Sequence, residues 1–182
     1  MDIQIIQAYI LGALHDGTYS SKHKTFRITQ SNLDWLKFLQ ECFQKLEYKA
    51  WIYREGKTRS VHALETTAKF LDLKYDPDNL ASKNLRIAYV RGYFDAEGGI
   101  PRDSSHWFYI QISQKNHEEL VKVKNILESL NIQCGKIHIP SAKVDPDYYR
   151  FFISRKSHRD FAQIIGSWHP RKRKILQLRM KI

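Results

Sequence analysis

Two stretches of this chain are copies of one pattern: Ala8-Tyr-Ile-Leu-Gly-Ala-Leu-His-Asp-Gly17 and, about eighty residues on, Ala88-Tyr-Val-Arg-Gly-Tyr-Phe-Asp-Ala-Glu-Gly-Gly99. Each copy begins as an apolar helix, sets a glycine (Gly12, Gly92) where a partner backbone can approach, and ends in an acid followed by glycine. A carboxylate at a helix C-terminus faces the negative end of the macrodipole, so stability alone does not explain it. If the two helices pack through Gly12 and Gly92, their acidic ends meet, and adjacent carboxylates are costly unless a divalent cation binds them.

The parts between the motifs repeat too. In the first half, residues 1–75, the periodicity predicts a helix from Ile3 to about His15, a strand Thr25–Gln30 with Thr18–Lys24 as its partner, and a helix capped by Asn32 running to about Glu47. A hairpin of Ala50–Arg54 and Ser60–Glu65 and a short helix from Thr67 to about Leu73 complete it. Residues 76–84 read as a linker. The second half, 85–182, runs through a helix from about Leu85 to Asp95, a strand His106–Ser113, and a helix capped by Asn116 to about Leu130. A strand pair Ile132–Ile139 and Tyr148–Ile153 and a helix from about Ser157 to Ile165 follow. Arg-Ile-Thr-Gln-Ser-Asn at 27–32 mirrors Gln-Ile-Ser-Gln-Lys-Asn at 111–116. The expected class is α+β, a tandem αββαββα repeat with two antiparallel sheets and the motif helices at the interface of a pseudo-symmetric monomer.

With 30 Lys+Arg against 19 Asp+Glu, a net charge of +11 implies a polyanionic partner. Nucleic acid is favoured over membrane, because no apolar run approaches a membrane span. Cys42 and Cys134 lack zinc-site spacing, which fits a reducing compartment, and the chain enters helical periodicity at once, without a leader pattern. A cytoplasmic, prokaryotic or archaeal setting is expected, with an organelle as the alternative.

Gly92-Tyr-Phe-Asp-Ala-Glu-Gly98, together with the duplicated order of elements, resembles the LAGLIDADG homing endonucleases of the single-chain, two-motif type, particularly the small archaeal intron-encoded kind. The resemblance implies a saddle of two sheets in the DNA major groove, with a Mg²⁺ (or Mn²⁺) bound at the acid ending each motif, here Asp16 and Glu97, and cleavage of both strands of a long target. In the ungapped register Asp16 falls one place short of Glu97, and one residue turns a helical side chain by roughly 100°. A local adjustment that still aims Asp16 at the metal is the expectation; a simple Asp-Gly turn is the alternative. The family also tends to place a lysine after the strand's Gln. Lys115 follows Gln114, whereas Ser31 follows Gln30. Gln30 and Gln114 would order waters, completing the catalytic set of Asp16, Glu97, Lys115, Gln30 and Gln114. The missing lysine keeps a second reading open, a weakened DNA-binding protein or an RNA maturase whose partner is intron RNA.

Strand alternation offers Arg27, Thr29, Tyr53, Arg59 and His62 in the first half, and Gln111, Ser113, Lys136, His138 and Arg150 in the second, as contacts to double-stranded DNA. Lys22, Lys24 and Arg102 on loops, with Arg171 and Lys172 in the run His169-Pro-Arg-Lys-Arg-Lys174, are expected to meet phosphates.

Overall fold

The computed structural model describes residues 2–56, 60–102 and 106–181, and of Asp16 the backbone alone. It has six α-helices and two antiparallel sheets among these residues. Helix α1 (Ile3–Ala13) is capped by Asp2, whose carboxylate accepts from Gln4 N, and it tightens into a 3-10 turn over Leu14–Asp16. Strands β1 (Gly17–Ser20) and β2 (Thr25–Gln30), helix α2 (Leu33–Lys45), and strands β3 (Ala50–Arg54) and β4 (His62–Thr66) complete the first half, whose sheet runs β1-β2-β4-β3.

A 3-10 turn at Pro77–Asn79 leads to helix α3 (Lys83–Glu97), then β5 (Gly98–Gly99), β6 (Gln111–Gln114), α4 (His117–Ser129), β7 (Tyr149–Phe152), α5 (His158–Ile164) and α6 (Pro170–Met180). The second sheet is the three-stranded β5-β6-β7. No helix among the described residues is long and apolar enough to cross a membrane.

The core lies between the motif helices and the sheets. Ile28 and Leu64, paired across β2 and β4, are buried beneath Trp35, Leu36, Leu39 and Phe43 of α2. Ile112 and Phe151, paired across β6 and β7, are buried with Leu120, Val123 and Leu127 of α4. Asn32 and Asn116 cap α2 and α4 through Oδ1, accepting from Trp35 N in one and Glu118 N in the other, as their spacing predicts.

Three expected elements differ. Thr67–Leu73 is irregular rather than helical: Thr66 Oγ1 donates to Lys49 O and accepts from Ala68 N, and Asp72 Oδ1 accepts from Lys74 N, local bonds that compete with a helix. Ile132–Ile139 keeps only isolated bridges, Cys134 with Ile153 and His138 with Arg150, so the second sheet lacks a counterpart to one strand of the first. The strand expected from His106 is confined to Gln111–Gln114. Cys42 and Cys134 are free, with thiols pushed up to about 12 by burial.

Candidate active site at the crossing of the motif helices

The motif helices α1 and α3 cross backbone to backbone. A Cβ on Gly12 would overlap the Tyr89 carbonyl oxygen and lie 2.9 Å from Tyr93 N, and one on Gly92 would overlap the Tyr9 carbonyl oxygen and lie 2.8 Å from Ala13 N. Each repeat's glycine thus rests on the other's tyrosine carbonyl. The same tyrosines tie the crossing a second time. Tyr9 Oη donates to Asp95 Oδ2 at 2.7 Å, and Tyr89 Oη lies 2.7 Å from His15 Nε2. Asp95 and His15 stand three residues past Gly92 and Gly12, respectively, so the two bonds are related by the pseudo-dyad.

Past the crossing, the helices reach their strands by different routes. From Ala13 the first advances by three residues of 3-10 turn, Leu14–Asp16; from the equivalent Tyr93 the second advances by four α-helical residues, Phe94–Glu97. At about 2.0 Å per 3-10 residue and about 1.5 Å per α residue, both cover about 6 Å. The overwound turn restores the length of the missing residue. Register agrees: Gly17, after Asp16, pairs with Ile28, and Gly98, after Glu97, pairs with Ile112, the corresponding position of the repeat. The backbone of Asp16 therefore holds the same place relative to its sheet as that of Glu97; its side chain lies outside the described ones.

Glu97 is half-buried, and its Oε1 accepts from Gln114 Nε2 at 3.1 Å. Gln114 Oε1 accepts in turn from Lys115 N. The Lys115 ammonium is mostly exposed and pairs with Asp145 at 3.4 Å, not with Glu97. Gln30 ends β2 where Gln114 ends β6. Oxygen donors of this kind fit a hard divalent cation. Among the described residues no group of three His, Cys, Asp or Glu side chains is placed to hold a metal ion.

Asp95 has another task. It is buried, and it accepts from Tyr9 Oη, Ser167 Oγ, Trp168 N at 2.8 Å and His169 N at 3.0 Å. Burial pushes its carboxyl above the ordinary range, while Lys172 and these donors pull it back. The sequence gives no local sign of this hub, because the donors lie more than seventy residues away or on the other repeat. The signal was Tyr9 itself, a buried hydroxyl that needs a partner.

His169 stacks on Trp35 at 5.4 Å, and burial drops its imidazole to about 3. The unfolded chain protonates near pH 6.5 while the native state stays neutral, so this stability is complete above that pH and is lost as pH falls toward 3. We expect urea unfolding of His169→Phe, which keeps the stack, to show a shallower loss between pH 6.5 and 5, by at most about 2 kcal/mol. An identical slope in both proteins would refute this role.

Several expected DNA contacts are placed otherwise. Lys172 is buried, with Nζ donating to Phe94 O at 2.7 Å and Asp95 O at 2.8 Å; it caps α3 rather than meeting phosphate. Ser113 is buried, its hydroxyl taken by Tyr148 Oη at 2.6 Å. His62 pairs in register with Gln30 and Arg54 and so shares the parity of core-facing Leu64, not that of Arg27 and Thr29. Arg59 lies outside the described residues. Arg27, Thr29 and Tyr53 do share the face turned from α2, where Arg27 bonds Glu55 at 2.7 Å and lies over Tyr53. On the second sheet Gln111 and Arg150 share the corresponding face, and His138 stacks on Phe152. Lys22, Lys24, Lys136 and Arg102 are exposed or partly so, and Arg171 is half-buried beside Arg102.

Comparison with known proteins supports this architecture. Residues 84–166 match the LAGLIDADG-like domain family. Over 93 residues the chain is 37% identical to the homing endonuclease I-ApeI of Aeropyrum pernix, a match spanning 50% of this chain and 40% of that protein. The fold aligns with I-DmoI in complex with DNA and Ca at a TM-score of 0.71 and 20% identity, over 98% of this chain and 100% of that one. It aligns equally, at 0.71 and 17% identity, with full-length DUF199/WhiA from Thermatoga maritima, over 100% of this chain and 62% of that one.

Proposed function

We propose that this chain, whose residues 84–166 match the LAGLIDADG-like domain family, is a site-specific DNA endonuclease, dependent on Mg²⁺ or Mn²⁺, that cuts both strands of a long target read through the major groove. The observation that carries the reading is the matched exit of the two motifs: Asp16 and Glu97 each directly precede a strand whose first residue pairs with the equivalent Ile28 or Ile112. Such placement serves two scissile phosphates, one per strand.

Asp16 and Glu97 would hold the metal. A bound divalent ion would supply the positive charge and water activation that phosphodiester hydrolysis requires. Gln114 orients the Glu97 carboxylate, and Gln30 takes the equivalent place in the first half. The faces carrying Arg27, Thr29, Gln111 and Arg150 would lie on the duplex, with Lys22 and Lys24 at the β1–β2 turn reaching phosphates.

The expected result is linear product when the protein and Mg²⁺ meet a supercoiled plasmid bearing the uninterrupted sequence that flanks its gene. Tight binding with the plasmid left intact would instead favour a DNA-binding protein without cleavage. One observation makes that the second reading: Ser31 stands where the other half has Lys115.

A further inference from the structure

On the first-half side of the centre lies a cavity of about 460 Å³, bordered by Gln30, Ser31, Asn32, Ala96, Arg102 and Arg171. Internal symmetry shows what this side lacks. Gln114 is followed by Lys115, whereas Gln30 is followed by Ser31, which carries no charge. Positive charge nevertheless enters from the other half of the chain, at the second residue of α6.

Arg171 Nη1 is shielded from solvent and has no hydrogen-bond partner among the described residues. Its immediate charged neighbour is Arg102, a like charge that adds to the burial already opposing its ionisation. The carboxylate bordering the cavity, Asp95, is occupied by Tyr9, Ser167 and two backbone amides. Two guanidiniums brought together with no free acid among the described residues are unfavourable unless an anion joins them. Arg27, by contrast, has Glu55. The first turn of α6 adds its positive dipole end, and Lys172, fixed on the Phe94 and Asp95 carbonyls, holds that turn in place. A phosphodiester suits the planar fork of an arginine.

Resting on the function proposed above, we propose that Arg171, assisted by Arg102, binds a backbone phosphate of duplex DNA in this cavity and supplies to the first half the positive charge that Ser31 does not.

The test measures binding of the full chain to a 30-bp duplex of arbitrary sequence as salt is varied, for wild type, Arg171→Ala, Arg171→Lys and Arg102→Ala, with thermal melts to verify folding. Arg171→Ala should bind about tenfold more weakly and lower the slope of log affinity against log salt by about 0.9. Arg171→Lys should restore the slope, which a packing role would not require, and Arg102→Ala should give a smaller loss. If Arg171→Ala does not fold, Arg171→Gln takes its place under the same criteria. Wild-type affinity and slope in the alanine or glutamine variant overturn the assignment while leaving the nuclease reading intact. A wild-type protein without affinity for the duplex removes both.

Discussion

Glu97→Gln should reduce plasmid cleavage by about a thousandfold or more while leaving DNA affinity within a few-fold of wild type. The substitution keeps side-chain shape and the contact to Gln114, and it removes the negative charge that would hold a divalent ion. Losing that ion's stabilisation of a phosphodiester transition state costs several kcal/mol, and each 1.36 kcal/mol is a factor of ten. Asp16→Asn is expected to act in the same direction, because the 3-10 turn returns its backbone to the equivalent place. Strand-labelled substrate in Mg²⁺ provides the measurement. Undiminished cleavage by the double variant would eliminate the two-acid centre.

The second large effect concerns stability. Gly12→Ala sets a methyl group into the Tyr89 carbonyl, and Gly92→Ala sets one into that of Tyr9. Neither obstacle is a flexible side-chain tip, so relief requires the helices to separate. Overpacking of this kind costs about 3 kcal/mol or more, which for a chain of this size lowers Tm by roughly 6–12 °C. Gly135→Ala, where the nearest atom is 3.4 Å from the added carbon, serves as the control. The paired glycine variants should not add, since either one alone opens the shared crossing. A melting temperature unchanged in Gly12→Ala would contradict the close crossing.

The sequence made the repeat, the helix pair and the strand β2 legible because each is written in local periodicity and in two copies. Strands β2 and β3 fall where alternation predicts them. What escaped reading was set by distance or by competing local bonds. Lys172 looks like part of a solvated basic run, yet Asp95, Phe94 and the turn at Ser167 draw it inward. Ser113 has the parity of a groove residue, but Tyr148 covers it. The one-residue shortfall of the first motif coincides with a change of helix type: a count of residues assumes one rise per residue, and the 3-10 turn departs from it.

The hub at Asp95 also orders events in time. Tyr9 is made early in synthesis and Asp95 midway, yet the amides of Trp168 and His169 and the ammonium of Lys172 emerge from the ribosome far later. Until they do, a nascent chain that has already joined its two motif helices carries a sequestered carboxylate short of donors. The crossing of the two motif helices is thus closed by a segment more than seventy residues further along, and a chain lacking residues 167–169 leaves Asp95 with Tyr9 but without its hydroxyl and amide donors from that segment.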